Sequence, residues 1–148
     1  NLVLLDRNGN VIRPLTNDPG IEISASWSPD SKQLVFVSDR SGSPQLFILD
    51  IASGKSRRLT YSGTYNTAPE WSPTGDRIAY TGRVGSRFAV FTINADGGEP
   101  RKLTPETADS EDPTWSPDGR FIAFSSNRAG RYHLYVMQSS GDDRFRGG

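Results

Sequence analysis

Asp109, Glu111 and Asp112 place three carboxylates within four residues. Oxygen donors at that density suit a hard cation such as Ca²⁺, which takes about six to eight oxygen ligands. Glu22, Asn66 and Glu70 are side chains elsewhere in the chain that could add oxygens. The favoured reading of the cluster is a solvated acidic rim, with Ca²⁺ as the alternative. Other chemistry is poorly supplied. His133 is the single histidine, there is no cysteine, and no G-x-S-x-G stretch occurs. A Ser-His-Asp or Cys-His arrangement therefore lacks its parts, and neither a catalytic residue nor a hydrolase site is expected within this chain.

Composition narrows the classes further. The 148 residues carry 17 Lys+Arg against 17 Asp+Glu. With no net field, neither nucleic acid nor an anionic membrane surface is an expected partner. No apolar run approaches the ~18 residues of a membrane span, so membrane insertion by a helix is not expected. The absence of cysteine excludes disulfides and leaves the compartment open. The chain begins at Asn1 with neither methionine nor a signal-like segment, and is expected to be processed or cut from a longer chain.

The candidate groups sit on a repeat. Trp27-Ser28-Pro29-Asp30, Trp71-Ser72-Pro73-Thr74 and Trp115-Ser116-Pro117-Asp118 recur every 44 residues without insertion or deletion. Leu15-Thr16, Leu59-Thr60 and Leu103-Thr104 keep the same interval. So do Leu34-Val35-Phe36, Ile78-Ala79-Tyr80 and Ile122-Ala123-Phe124. Leu46-Phe47-Ile48, Val90-Phe91-Thr92 and Leu134-Tyr135-Val136 form a further column, which Leu2-Val3-Leu4 opens one period earlier. A fixed period of this length signals stacked supersecondary units.

Within a unit the apolar runs are four to six residues long and separated by turn residues, which predicts short strands. In the third unit these are 110–115, 120–126 and 132–138, with a fourth after Ser140-Gly141. The fourth strands of the earlier units are 11–15, 56–59 and 100–103. Pro29, Pro73 and Pro117 pre-set the turn after the first strand, and the position of Gly119 tolerates a positive φ. Four antiparallel strands per 44 residues predict an all-β fold, a β-propeller of four-stranded blades, with about three to three and a half blades in this chain. Residues 1–16 supply the outer strands of one blade, and 17–60, 61–104 and 105–148 one blade each. A gapless register across three copies argues against a β-sandwich. One tryptophan per blade at fixed register predicts that Trp27, Trp71 and Trp115 fill the core between blades. Thr16, Thr60 and Thr104 are expected to hydrogen-bond locally where the outer strand ends. His133 falls opposite the Leu134 face and is expected at the surface.

W-S-P-D-G, then I-A-F-S-S-N-R, then L-Y-V, then R-x-L-T resembles the blade repeat of the TolB-like β-propeller family. The resemblance runs from Leu2 to about Gly141, and the same repeat type occurs in propeller domains of prolyl-oligopeptidase-like and tricorn-like proteases. Leu134 to Met137 and Asn94-Ala95-Asp96-Gly97-Gly98 carry the likeness best. Departures are Ser31 and Thr74 in the turns, Arg83-Val84-Gly85 in a hairpin, and Phe145-Arg146-Gly147-Gly148 where R-x-L-T is due.

The segments leading into each W-S-P strand connect one blade to the next and would lie at a mouth of the central channel, where loops on a rigid scaffold carry function. In the family that mouth takes a partner peptide. The resemblance therefore implies Glu22, Tyr65, Asn66, Thr67, Glu111 and Asp112 as partner contacts, a Pal-like envelope lipoprotein as partner, a non-enzymatic role and a periplasmic or secreted location. No cofactor is expected beyond the Ca²⁺ alternative at Asp109, Glu111 and Asp112. Three periods leave sixteen residues over, and a closed propeller needs at least about four blades, so the chain does not close alone. Unpaired blade faces predict self-association or aggregation. Two alternatives remain: the substrate-gating propeller of a serine peptidase whose catalytic domain lies outside this chain, and an excised or designed set of blades that self-assembles.

Overall fold

A computed structural model describes residues 1–141 and the backbone of 146–147. The described residues are all β-strand, turn and loop, so no helix among them is long and apolar enough to cross a membrane. β1 (Val3–Leu5) and β2 (Val11–Pro14) form a two-stranded sheet. Three four-stranded sheets follow: β3 (Glu22–Trp27), β4 (Gln33–Ser38), β5 (Gln45–Asp50) and β6 (Ser56–Arg58); β7 (Asn66–Trp71), β8 (Arg77–Val84), β9 (Arg87–Asn94) and β10 (Arg101–Lys102); β11 (Ser110–Trp115), β12 (Phe121–Ser126), β13 (His133–Gln138) and β14 (Arg146–Gly147). Strands pair antiparallel in chain order within each sheet, and register repeats with them: Trp27 opposes Leu34, Trp71 opposes Ile78, Trp115 opposes Ile122. This is an open, partial propeller. The fourth strand expected after Ser140-Gly141 is present in part: Arg146 and Gly147 pair with Val136 and Tyr135, while Phe145 and Gly148 lie outside the described residues.

The middle strands of the first two blades are apolar on both faces because sheets pack on both sides of them. In the first blade, Leu34, Phe36, Phe47 and Leu49 pack toward Leu2 and Leu15 of the β1–β2 sheet. The alternate residues Val35, Val37, Leu46 and Ile48 pack against Trp71, Ile78, Tyr80 and Ile93 of the second blade. The next interface joins Ala79, Val90 and Leu103 to Ile122, Phe124 and Met137. The Leu-Thr column closes each outer strand: the N–H groups of Leu2, Leu46 and Val90 donate to the hydroxyls of Thr16, Thr60 and Thr104 at 2.8, 2.9 and 2.9 Å.

The tryptophans do not share one environment. Trp71 is 7% exposed between the first two blades, and Trp115 packs partly buried against the second. Trp27, expected in the core, is 46% exposed. Its column faces the preceding blade, and there the chain supplies only the outer strands β1 and β2, so no inner strand stands in front of the indole.

The W-S-P turns are held by side chains. Ser28 Oγ donates to Asp30 (2.6 Å) and accepts the Gln33 N–H (3.0 Å), and Ser116 does the same with Asp118 and Phe121 at 2.6 and 3.0 Å. In the middle turn Asp76 supplies the carboxylate that Thr74 lacks, accepting from Ser72 at 3.1 Å. These serine and threonine hydroxyls hold Asp30, Asp76 and Asp118 below the ordinary carboxylate range. Successive turns also touch. A methyl on Gly119 would stand 3.3 Å from Thr74 Cγ2 and 3.7 Å from Pro73 Cγ. Gly75 and Gly119 take φ of +83° and +74°, and Ser31 occupies the same column at +63°. A left-handed conformation costs a non-glycine residue ~1–2 kcal/mol, offset in part by glycine's larger unfolded-state entropy. Ser31→Gly is therefore expected to stabilise the fold by about 0.5–1 kcal/mol, and Gly119→Ala to destabilise it by at least ~1 kcal/mol. Urea unfolding of both variants checks the opposite signs.

Candidate functional site

Each inner strand begins at a buried polar residue and then bulges. Glu22, Asn66 and Ser110 occupy one repeat column, and all three are buried. Register then slips between Ile23 and Ser26, between Thr67 and Glu70, and between Glu111 and Thr114. At each slip one residue adopts a left-handed backbone: Ser24 at +58°, Ala68 at +51° and Asp112 at +55°. None is glycine, so the fold holds a strained conformation three times over, at the same position of each inner strand. Pro69 and Pro113 follow the strained residue directly, and a mid-strand proline without an N–H is compatible with a bulge. That was the sequence signal for these positions.

The bulges line a cavity of about 280 Å³ shared by three blades, walled by Ser24, Ala68, Pro69, Glu70, Asp112 and Pro113. Hydrogen bonds staple its walls: the Trp71 N–H donates to Ser26 Oγ (3.1 Å), Trp115 Nε1 to the Glu70 carbonyl (2.8 Å) and the Asp112 N–H to Thr81 Oγ1 (3.0 Å). Partial desolvation raises the Glu70 carboxyl above its ordinary value, opposed by the Ser26 hydroxyl. Glu70 and Asp112 both remain exposed, which makes the surface acidic.

The six residues expected to contact a partner divide. Tyr65 is 39% exposed and sets its ring edge-on to Phe88, 6.0 Å between centroids; Thr67 is half-buried and Asp112 exposed. Glu111 is half-buried and accepts the Tyr132 hydroxyl at 2.7 Å, which pushes that phenol up to about 12. Glu22 and Asn66, by contrast, turn inward. Glu22 accepts from Arg40 at 2.5 Å and from Thr16, its side chain wholly buried. Asn66 donates to Gln45 (2.8 Å) and the Ser62 carbonyl (2.9 Å). The expectation that the Glu22 side chain faces a partner is corrected, because its carboxylate completes a polar network inside the blade, whereas Asn66 commits its amide nitrogen there.

Two of the three carboxylates considered for Ca²⁺, Asp109 and Glu111, are engaged by different partners. Asp109 accepts the Phe88 N–H (3.0 Å), Asn127 Nδ2 (3.2 Å) and Arg87 (3.3 Å), and the Phe88 N–H above all holds its carboxyl below the ordinary range. Glu111 engages Tyr132. Among the described residues no group of three or more His, Cys, Asp or Glu side chains is arranged to hold a metal ion. His133 is exposed.

A family model described as the TolB beta propeller domain matches residues 1–146. The chain is 46% identical over 56 residues to a TolB homolog of Chlorobium luteolum, covering 38% of this chain and 13% of that protein. It is 37% identical over 46 residues to the Tol-Pal system protein TolB of Bordetella pertussis, covering 31% and 10% respectively. Among solved structures, TolB from Acinetobacter baumannii superposes with a TM-score of 0.81 at 35% identity, over 96% of this chain and 35% of that one. The tricorn protease superposes with a TM-score of 0.70 at 17% identity, over 89% of this chain and 15% of that one, a likeness of fold alone. The chain thus spans about a tenth of the curated relatives and about a third of the Acinetobacter chain.

Proposed function

The chain belongs to the TolB β-propeller family, and from that premise we propose that it is a non-enzymatic scaffold whose channel mouth binds a protein partner in the periplasm. The partner that fits the Tol-Pal context of its relatives is a Pal-like envelope lipoprotein. One observation carries the reading: three inner strands repeat the same left-handed bulge at Ser24, Ala68 and Asp112 and converge on one acidic concavity. Strained backbone held in register across blades is the kind of feature a binding mouth retains. Tyr65, Thr67, Glu111 and Asp112 stand where the inner strands begin, and an acidic mouth selects a partner bearing basic or amide groups.

Self-association is the second part of the reading. The last blade leaves Leu134 68% and Val136 38% exposed, whereas Leu46 and Ile48 in the same columns are 0% and 1% exposed. At the other end Trp27, Ile23, Val3 and Leu5 are exposed. Two different apolar faces of this kind support head-to-tail contact between copies.

Sedimentation velocity tests both. The chain alone is expected to sediment above its 16.2 kDa monomer mass. With the soluble domain of a Pal-like lipoprotein it is expected to form a complex that Glu111→Lys with Asp112→Lys weakens by about tenfold or more. A monomer without a complex, or a complex indifferent to charge reversal, would overturn the respective part.

A further inference from the structure

The three blades differ at one slot. In the first blade Arg40 lies over an aromatic pair, its guanidinium carbon 5.4 Å from the Phe36 ring and 4.8 Å from the Phe47 ring. In the third blade Arg128 repeats this over Phe124 (5.5 Å) and Tyr135 (4.6 Å). Each arginine has a serine beneath it: Nε donates to Ser38 at 3.1 Å and to Ser126 at 3.5 Å. Arg40 also pairs with Glu22.

The middle blade keeps the aromatic pair and changes everything above it. Tyr80 and Phe91 stack at 5.4 Å with 12° between planes. The arginine position is Val84, the serine position Gly82, and the Glu22 position Asn66. A side chain at Gly82 has no room, since a methyl there would stand 2.7 Å from Phe91 Cε2 and 2.9 Å from Asn66 Oδ1. What remains is a cavity of about 460 Å³ bounded by Tyr80, Phe91, Asn66, Gly63, Val84 and Arg83. Asn66 donates its Nδ2 to Gln45 and Ser62, and its Oδ1 lies 2.9 Å from where a methyl on Gly82 would stand and 3.9 Å from one on Gly63.

We propose that this cavity is a guanidinium subsite, taking an arginine side chain of the bound partner where the flanking blades use an arginine of their own. The incoming guanidinium lies over the Phe91 ring, against which Tyr80 is stacked and buried, and donates to Asn66 Oδ1. A planar, weakly hydrated cation fits this combination better than an ammonium, because it offers a face to the ring and in-plane N–H groups to the oxygen. An apolar side chain would leave the oxygen unanswered. Arg83, whose Nε donates to the Gly85 carbonyl at 3.0 Å, stands at the rim and opposes the cation, so it limits affinity. The segment 62–66 and the β8–β9 hairpin that frame the slot adjoin Tyr65, whose carbonyl accepts the Arg83 N–H at 2.9 Å. The subsite thus belongs to the same mouth as the proposed partner site and rests on that reading for the source of the arginine.

The test titrates N-acetylarginine amide into the ¹⁵N-labelled chain and follows amide shifts. Saturable, millimolar shifts are expected at residues 63–66, 82–85 and 91, with N-acetyllysine amide roughly three- to tenfold weaker. Val84→Arg, which restores the repeat's own occupant, should abolish them while leaving the rest of the spectrum in place. Arg83→Ala should tighten binding roughly twofold or more by removing the like charge. Shifts centred elsewhere, an uncharged N-acetylnorleucine amide binding equally well, or Arg83→Ala leaving affinity unchanged would overturn the subsite. A second titration with the Pal-like soluble domain separates the two readings. If the arginine probe binds and the lipoprotein does not, the partner reading fails and the slot stands. If the lipoprotein binds Val84→Arg as well as the parent chain, the slot plays no part in that partner.

Discussion

Trp71→Ala is expected to destabilise the fold by about 3–5 kcal/mol, while Trp27→Ala, the same substitution in the same repeat column, costs less than ~1 kcal/mol. Trp71 is 7% exposed and packs in the cluster that joins Val35, Val37, Leu46 and Ile48 of one blade to Ile78 and Tyr80 of the next. Its indole N–H also closes its own turn on the Gly75 carbonyl at 3.0 Å. Truncation removes that bond and opens a cavity between two rigid sheets that have little freedom to collapse onto it. Trp27 is 46% exposed, so its removal forfeits only part of an apolar contact. Chemical unfolding of both variants under identical conditions reads the difference. Equal losses would mean that the Trp27 face is covered in solution, which self-association would produce. A small loss at Trp71 would mean that the first two blades are not packed as described.

Arg40→Met is expected to cost about 3–5 kcal/mol. The methionine keeps apolar contact with the Phe36 and Phe47 rings but leaves the Glu22 carboxylate, whose side chain is 0% exposed, without its hydrogen-bonded guanidinium. What survives at Glu22 is the neutral hydroxyl of Thr16 and the Asn1 ammonium at 3.7 Å, beyond hydrogen-bond reach, and these do not replace the guanidinium. Arg40 also reaches Asp18 at 3.0 Å and Ser56 at 2.9 Å, so it ties the lead-in segment and the outer strand to the inner strand. The diagnostic is a double-mutant cycle. Combining Arg40→Met with Glu22→Gln should recover most of the loss, because the pair is then replaced by neutral groups. Additive losses would show that the arginine acts through packing over the rings and not through the ion pair.

These two sites also mark where sequence reading stops. Strand order and the turn chemistry follow from the 44-residue period, because each unit repeats both its apolar alternation and its punctuation. The threonine clamp was equally legible, since its partners sit fourteen residues apart within one unit. The column of Glu22, Asn66 and Ser110 was not, because its partners lie on other strands and turns and differ from blade to blade: Arg40, Gln45 and Ser126. A carboxylate beside a mouth reads as a surface group until the cation that buries it is seen.

By itself the amino-acid sequence determined the blade, its register and its family, since those depend on local periodicity and on turn residues whose backbone preferences are intrinsic. Tertiary structure alone decided which members of a column are buried. Trp27, Leu134 and Val136 belong to core columns and are exposed because burial depends on a neighbouring blade and not on the residue. It likewise turned Glu22 inward, engaged Asp109 and Glu111 with different partners, and left the Tyr80–Phe91 pair without an arginine of its own among the described residues. Each of these outcomes rests on contacts between segments far apart in the chain, which a repeat pattern does not encode.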